Sequence, residues 1–154
     1  MTYALDEIDR RILRALQRDG TRSSASLADD VGASQASCWR RIKAMTEAGL
    51  LRETVQLLDP AQLGLTVNVF CDISLHNHDP DTYQAFRQFV HIKPEIVECF
   101  SMSGQWDYML RIVTSSVERY ESFLMKELFV HPSVRSGASR FALSLIKWTT
   151  ALPV

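Results

Sequence analysis

The chain has 154 residues with 46% hydrophobic and 23% charged content, the profile of an ordinary folded protein of one or two domains rather than of a disordered or fibrous chain. Seventeen Lys+Arg against eighteen Asp+Glu leave a net charge of −1, so any affinity for nucleic acid has to come from local placement of charge. No apolar run approaches the roughly 20 residues of a membrane span, and Met1-Thr2-Tyr3-Ala4-Leu5-Asp6 lacks the basic start and apolar core of a leader, so a cytoplasmic protein with no membrane partner is expected.

Leu5, Ile8, Ile12 and Leu16 recur at helical spacing, with Asp6 able to cap the helix and Gly20 to stop it. Arg10, Arg11, Arg14 and Arg18 crowd its other faces, interleaved with Asp9 and Asp19, and read as a solvated surface. Ser23 or Ser24 then offers a second cap, Leu27 and Val31 form an i, i+4 pair, and Gly32 can turn the chain at positive φ. Ser34 caps a third helix that ends near Ala48 and Gly49. Three short helices with a tight second turn match a helix-turn-helix.

On the third helix Cys38, Ile42 and Met45 share an inward stripe. The outward face carries Ala36, Arg40 and Lys43, flanked by Ser37 and Arg41, with no acid between the three cations. Such a face suits phosphates and base edges of double-stranded DNA. Ser34, Gln35, Ala36 and Ser37 would approach the major groove first, with Arg40 at a guanine edge and Arg41 and Lys43 at phosphates. Trp39, to the side of the stripe, is expected to pack against the first helix or a partner.

After Gly49 the period changes. Residues 50–58 read as an extended linker strand closed by Asp59-Pro60, and Val67, Val69, Cys71, Ile73 and Leu75 alternate along a long strand. Tyr83, Phe86 and Phe89 or Val90 mark a helix stopped by Pro94. A strand over 95–102, a turn at Ser103-Gly104-Gln105-Trp106 and a strand over 107–113 form a hairpin. Tyr120, Phe123, Leu124 and Leu128 mark a further helix closed by His131-Pro132, and a last strand runs from Val134 to about Trp148. The order βαββαβ predicts an antiparallel four-stranded sheet with two helices on one face. The uncovered face predicts self-association, most simply a two-fold homodimer that places two recognition helices one DNA turn apart.

Cys38, Cys71 and Cys99 sit at apolar positions without metal-ligand spacing and read as buried thiols. His76-Asn77-His78-Asp79 reads as a solvated turn in preference to a metal site. No nucleophile triad, phosphate loop or paired catalytic carboxylates stand at recognisable spacing, so the expectation is a protein that is not an enzyme.

The stretches Leu5-Asp6-Glu7-Ile8-Asp9-Arg10-Arg11-Ile12-Leu13, Leu27-Ala28-Asp29-Asp30-Val31-Gly32-Ala33-Ser34 and Cys38-Trp39-Arg40-Arg41 resemble the Lrp/AsnC (feast/famine) transcription regulators. Ser103-Gly104-Gln105-Trp106-Asp107-Tyr108-Met109-Leu110-Arg111 resembles the Gly-x-x-Asp-Tyr hairpin of that family's sensing domain, and Ile146-Lys147-Trp148-Thr149-Thr150-Ala151-Leu152-Pro153 its C-terminal ending. The resemblance implies an α+β fold: an N-terminal winged helix-turn-helix domain (1–50), a linker strand (51–63) and a C-terminal βαββαβ ferredoxin-like, RAM/ACT-like domain (64–154). It implies a homodimer assembling to an octamer, no cofactor, and a small amino-acid effector bound between subunits near Met102, Gly104, Gln105, Trp106, Asp107, Tyr108, Ser139 and Arg140. Gly104 would let backbone amides approach a carboxylate and Asp107 would meet an ammonium group; the same two residues equally suit a plain hairpin turn. Ala138-Ser139-Arg140-Phe141 keeps only the central hydroxyl of the family's Thr-x-Ser pattern, and Gln105 stands where an acid is common. An oligomeric DNA-binding architectural protein without an effector is the alternative.

Overall fold

The computed structural model describes residues 3–154, so Met1 and Thr2 of the stretch read for a leader lie outside the described residues. The chain forms two compact units, Met1–Leu57 with Lys147–Val154, and Leu58–Ile146.

In the first unit α1 (Glu7–Arg18) starts in a capping box: Asp9 N–H donates to Asp6 Oδ1 at 2.8 Å and Asp6 N–H to Asp9 Oδ2 at 3.1 Å. Ser23 caps α2 (Ser24–Val31), and Gly32 ends it at φ +69°, a left-handed conformation that costs glycine little. Ser34 then caps α3 (Gln35–Glu47) by accepting from Ser37 N–H at 3.2 Å. Ile12, Leu27, Val31, Cys38 and Met45 close the core between the three helices. Asp9 departs from the expected solvated surface, because it is buried at 1% exposure beneath Arg41. Residues 50–58, expected as a linker strand, make no ladder among the described residues. Alternating sequence defines a strand only where a neighbour accepts its hydrogen bonds.

Residues 147–154, read from sequence with the second domain, pack in the first unit on α1. The Gln17 amide brackets one backbone residue there, donating to Leu152 O at 3.1 Å and accepting from Leu152 N–H at 2.5 Å, while Arg14 Nε donates to Val154 O at 2.7 Å.

The second unit contains β1 (Val67–Leu75), α4 (Pro80–Ile92), β2 (Ile96–Ser101), β3 (Tyr108–Thr114), α5 (Val117–Phe123) and β4 (Val134–Phe141), α5 continuing into a π-helical turn, Leu124–Leu128. The strands lie in the order β2-β3-β1-β4, every neighbouring pair antiparallel, as the βαββαβ order predicts. Val69, Cys71, Ile73, Leu75, Leu110 and Ile112 pack on Phe86, Tyr120, Phe123 and Leu128 of the helical layer. Gly137 is required by close packing: a Cβ there would lie 2.8 Å from Phe129 and 2.9 Å from the Asp72 carbonyl.

The last strand ends at Phe141 instead of near Trp148. Its partner β1 begins at Val67, so beyond Val69↔Phe141 and one bond from Ala142 N–H to Asn68 O the template runs out. Register puts Phe70, Asp72, Met109, Arg111, Ala138 and Arg140 on the face opposite the helices. That face is mixed instead of purely apolar, carrying the pairs Arg111–Glu98 at 2.9 Å and Arg140–Asp72 at 2.7 Å. Cys38 and Cys71 are buried, but Cys99 is exposed because it sits on the edge strand β2.

Candidate nucleic-acid interface and effector site

The turn at Gly32 and the Ser34 cap fix where α3 begins, and the inward stripe of Cys38 and Met45 fixes which way its other side faces. Gln35, Ala36, Trp39, Arg40 and Lys43 are all exposed on that side, and Ser37 is half-buried. Arg40 makes no ion pair among the described residues and is free to meet a base edge, whereas Lys43 approaches Glu47 at 3.8 Å. Glu47 is also exposed, so this contact is weak and easily exchanged for a phosphate.

Arg41 differs from the other two cations. Its Nη1 lies 2.7 Å from both Asp6 Oδ2 and Asp9 Oδ1, and its Nε donates to Ser37 Oγ at 3.4 Å. The hydrogen bonds to Asp9 and then Asp6 make the guanidinium hold its proton more tightly still. The Asp9 N–H bond, with Arg41 second, holds the Asp6 carboxyl below the usual range. Arg41 thus ties the start of α1 to α3, a structural duty that sequence reading did not assign. Trp39, expected to pack against the first helix or a partner, is 58% exposed in the single chain, with Lys43 Nζ 5.4 Å from its ring centroid. The helical wheel could have revealed this, since Trp39 falls well away from Cys38 and Met45.

At the other expected site, Met102, Gly104 and Gln105 are exposed at the tip of the β2–β3 hairpin, with Trp106 and Asp107 half-buried. Gly104 sits at φ +110° with nothing within 4 Å of a would-be Cβ, so its glycine identity serves backbone conformation and leaves open space above it. Asp107 is already engaged: Oδ2 accepts from Leu75 N–H at 2.7 Å, Oδ1 meets His78 Nε2 at 2.7 Å, and its own N–H donates to Ile73 O at 2.9 Å. Burial pushes its carboxyl up, but the Leu75 bond and the His78 pair outweigh it and hold the group below its ordinary range.

Tyr108, on β3, is buried against the helical layer, its ring 4.9 Å from Phe86. Ser139 opposes Cys71 and meets the Tyr120 hydroxyl. Arg140 points to the opposite sheet face, where it pairs with Asp72 by distance though not with the angle of a hydrogen bond. One chain therefore gathers residues 102–107 at the hairpin end and leaves Ser139 and Arg140 further along the sheet, opposite Cys71 and Phe70. Beside the hairpin lies an open cleft of 680 Å³ lined by His78, Tyr83, Gln84, Arg87, Ser101 and Tyr108. Sequence reading took Tyr83 only as helix spacing and His78 only as part of a turn; their convergence follows from α4 crossing the sheet. Among the described residues no three metal-ligating side chains converge, and no helix is long and apolar enough to cross a membrane.

Comparison with known proteins covers both units. An AsnC-type helix-turn-helix domain model matches residues 5–46 and an Lrp/AsnC ligand binding domain model matches residues 68–152. The chain is 35% identical over 150 residues to the DNA-binding transcriptional activator DecR of Escherichia coli K12, covering 97% of this chain and 99% of that one. It is 34% identical over 154 residues to the glutamate uptake regulatory protein of Zymomonas mobilis, covering 100% of this chain and 93% of that one. A Neisseria meningitidis transcriptional regulator solved in complex with L-Met superposes with a TM-score of 0.93 at 32% identity, over 97% of each chain. An AsnC family regulator from Agrobacterium tumefaciens superposes with a TM-score of 0.91 at 42% identity, also over 97% of each chain.

Proposed function

The chain belongs to the Lrp/AsnC family of DNA-binding transcriptional regulators, and from that premise we propose that it controls genes of amino-acid metabolism in the cytoplasm, in response to a small amino acid bound between subunits. The observation that carries the DNA-reading half is the outward face of α3, where Arg40 stands exposed and unpaired among the described residues. It is flanked by Lys43 and led by the exposed Gln35 and Ala36 in the first turn of the helix. Two such helices, brought together by a homodimer through the open sheet face, would read two half-sites one DNA turn apart. Further assembly to an octamer would multiply the sites.

The effector half rests on the hairpin. Gly104 leaves backbone amides open to a carboxylate, and the adjoining cleft offers Arg87, Gln84 and two tyrosines to a small zwitterion. An effector that binds one assembly state better than another shifts the balance between them and with it DNA occupancy. Support comes from the relative solved with L-Met. A specific observation favours the effector-free architectural reading: within one chain Asp107 and Arg140 already have partners in His78 and Asp72.

The test is binding of the full chain to its own upstream DNA at one fixed salt concentration, with the standard amino acids added singly. One amino acid is expected to change specific affinity or stoichiometry. Specific binding that none of them alters supports the architectural reading, and absence of specific binding to any genomic fragment removes the operator-reading role.

A further inference from the structure

We propose that Trp39 is a specificity-determining residue that reads thymine methyl groups in the major groove. This rests on the operator-reading role of α3 proposed above, and adds to it a base preference carried by a side chain outside the DNA contacts expected from sequence.

An indole is the largest apolar side chain, yet Trp39 is 58% exposed while the core of its unit closes without it, through Cys38 and Met45, about 100–120° away around α3. At about 100° per residue it falls about 40° from Lys43 and about 60° from Ala36, so it flanks the outward face on the side away from Arg40. Lys43 Nζ over the ring, 5.4 Å from its centroid, restrains the indole on that face.

The neighbours decide the occupant. Trp39 stands beside Lys43 and the N-terminal turn of the helix, with Arg40 across the outward face and Glu47 the nearest acid on it, a full turn beyond Lys43. An apolar protein partner would have to desolvate both cations, whereas DNA meets both with phosphate and base edges. Within the major groove the thymine methyl is the one apolar group on any base edge; guanine, cytosine and adenine present donors and acceptors there. An indole face held at the groove has no other apolar surface to cover. With Arg40 aimed at guanine, the half-site should contain a guanine and a thymine within the short span reached by one turn of α3.

The experiment selects binding sites for the full chain from a randomised duplex library. It then compares each thymine of the selected site with deoxyuridine, which differs only by the lost methyl. Wild type is expected to lose about fourfold in affinity at one or two of those positions, the effect of one apolar carbon removed from water. Trp39→Ala should be indifferent to the same replacements and keep the wild-type mass by light scattering. The uracil series on wild type needs no variant, so a folding defect cannot hide the answer. A selected site at which no thymine methyl matters overturns the proposal and leaves operator reading intact. So does a Trp39→Ala protein that keeps the methyl preference, or one that changes its oligomeric state, which would assign the indole to a contact between copies. Failure of wild type to select any site overturns both readings together.

Discussion

Replacing Arg41 with Ala would strip the guanidinium from a carboxylate that water does not reach. Asp9 is 1% exposed, and Arg41 Nη1 lies 2.7 Å from its Oδ1 and equally close to Asp6 Oδ2. Breaking a buried pair by removing one partner costs about 3–5 kcal/mol. The Arg41 side chain is 22% exposed and Asp6 more than half exposed, so water partly replaces the lost contacts and about 2–3 kcal/mol is the expected loss. A unit of about 65 residues has roughly 3–10 kcal/mol of stability in total. The loss should therefore lower the melting temperature of the three-helix unit by about 10–20 °C. Circular dichroism and calorimetry of the full chain would measure this, with Arg40→Ala as a surface control that shifts stability by less than about 0.5 kcal/mol. Adding Asp9→Asn to the Arg41→Ala chain should recover part of the loss, because a neutral amide is less costly to bury unpaired than a charge. If Arg41→Ala melts with wild type while its DNA affinity falls and the salt dependence loses about one ion, Arg41 is a phosphate ligand and the clamp argument fails.

Gly137→Ala should destabilise the second unit by about 1–3 kcal/mol, since the new methyl meets the immovable Asp72 carbonyl at 2.9 Å as well as the Phe129 ring; unchanged urea unfolding would show that β4 shifts freely. The lowered folded value of Asp107 means that its carboxylate contributes stability above the ordinary carboxyl range near about pH 4, and that this contribution is lost as pH falls through the folded value. Asp107→Asn should accordingly flatten the acid limb of the stability profile, and a limb identical to wild type would show that the Leu75 and His78 contacts carry no net charge preference. Gln17→Ala should release residues 147–154 from α1, read as faster hydrogen exchange at the Leu152 amide; unaltered protection would mean that packing alone holds the segment.

The three helices of the first unit were legible because their signals are local. Asp6, Ser23 and Ser34 cap by reaching three residues along the chain, and Gly32 turns it through its own backbone freedom. The alternation of Val69, Cys71, Ile73 and Leu75 likewise announced a half-buried strand, and the order of elements was enough to specify the sheet topology. Helix spacing with the cations of α3 pointed to a DNA-binding role, and the motif resemblance to the family.

What the sequence could not decide were matters of partnership between distant segments. That Arg41 meets Asp6 and Asp9 at the start of α1 depends on how two helices cross, since its separation of 32 residues from Asp9 carries no periodic signal. Residues 50–58 look like a strand, but a strand exists only with a neighbour to accept its bonds, and β4 stops at Phe141 because β1 offers no further template. Residue type marks Trp39 for packing on the first helix or a partner, and its exposure in the single chain follows from Cys38 and Met45 filling the core. Hydrophobic burial is a collective property of the packed unit, so tertiary structure alone determines which apolar side chains are left for water or for a ligand.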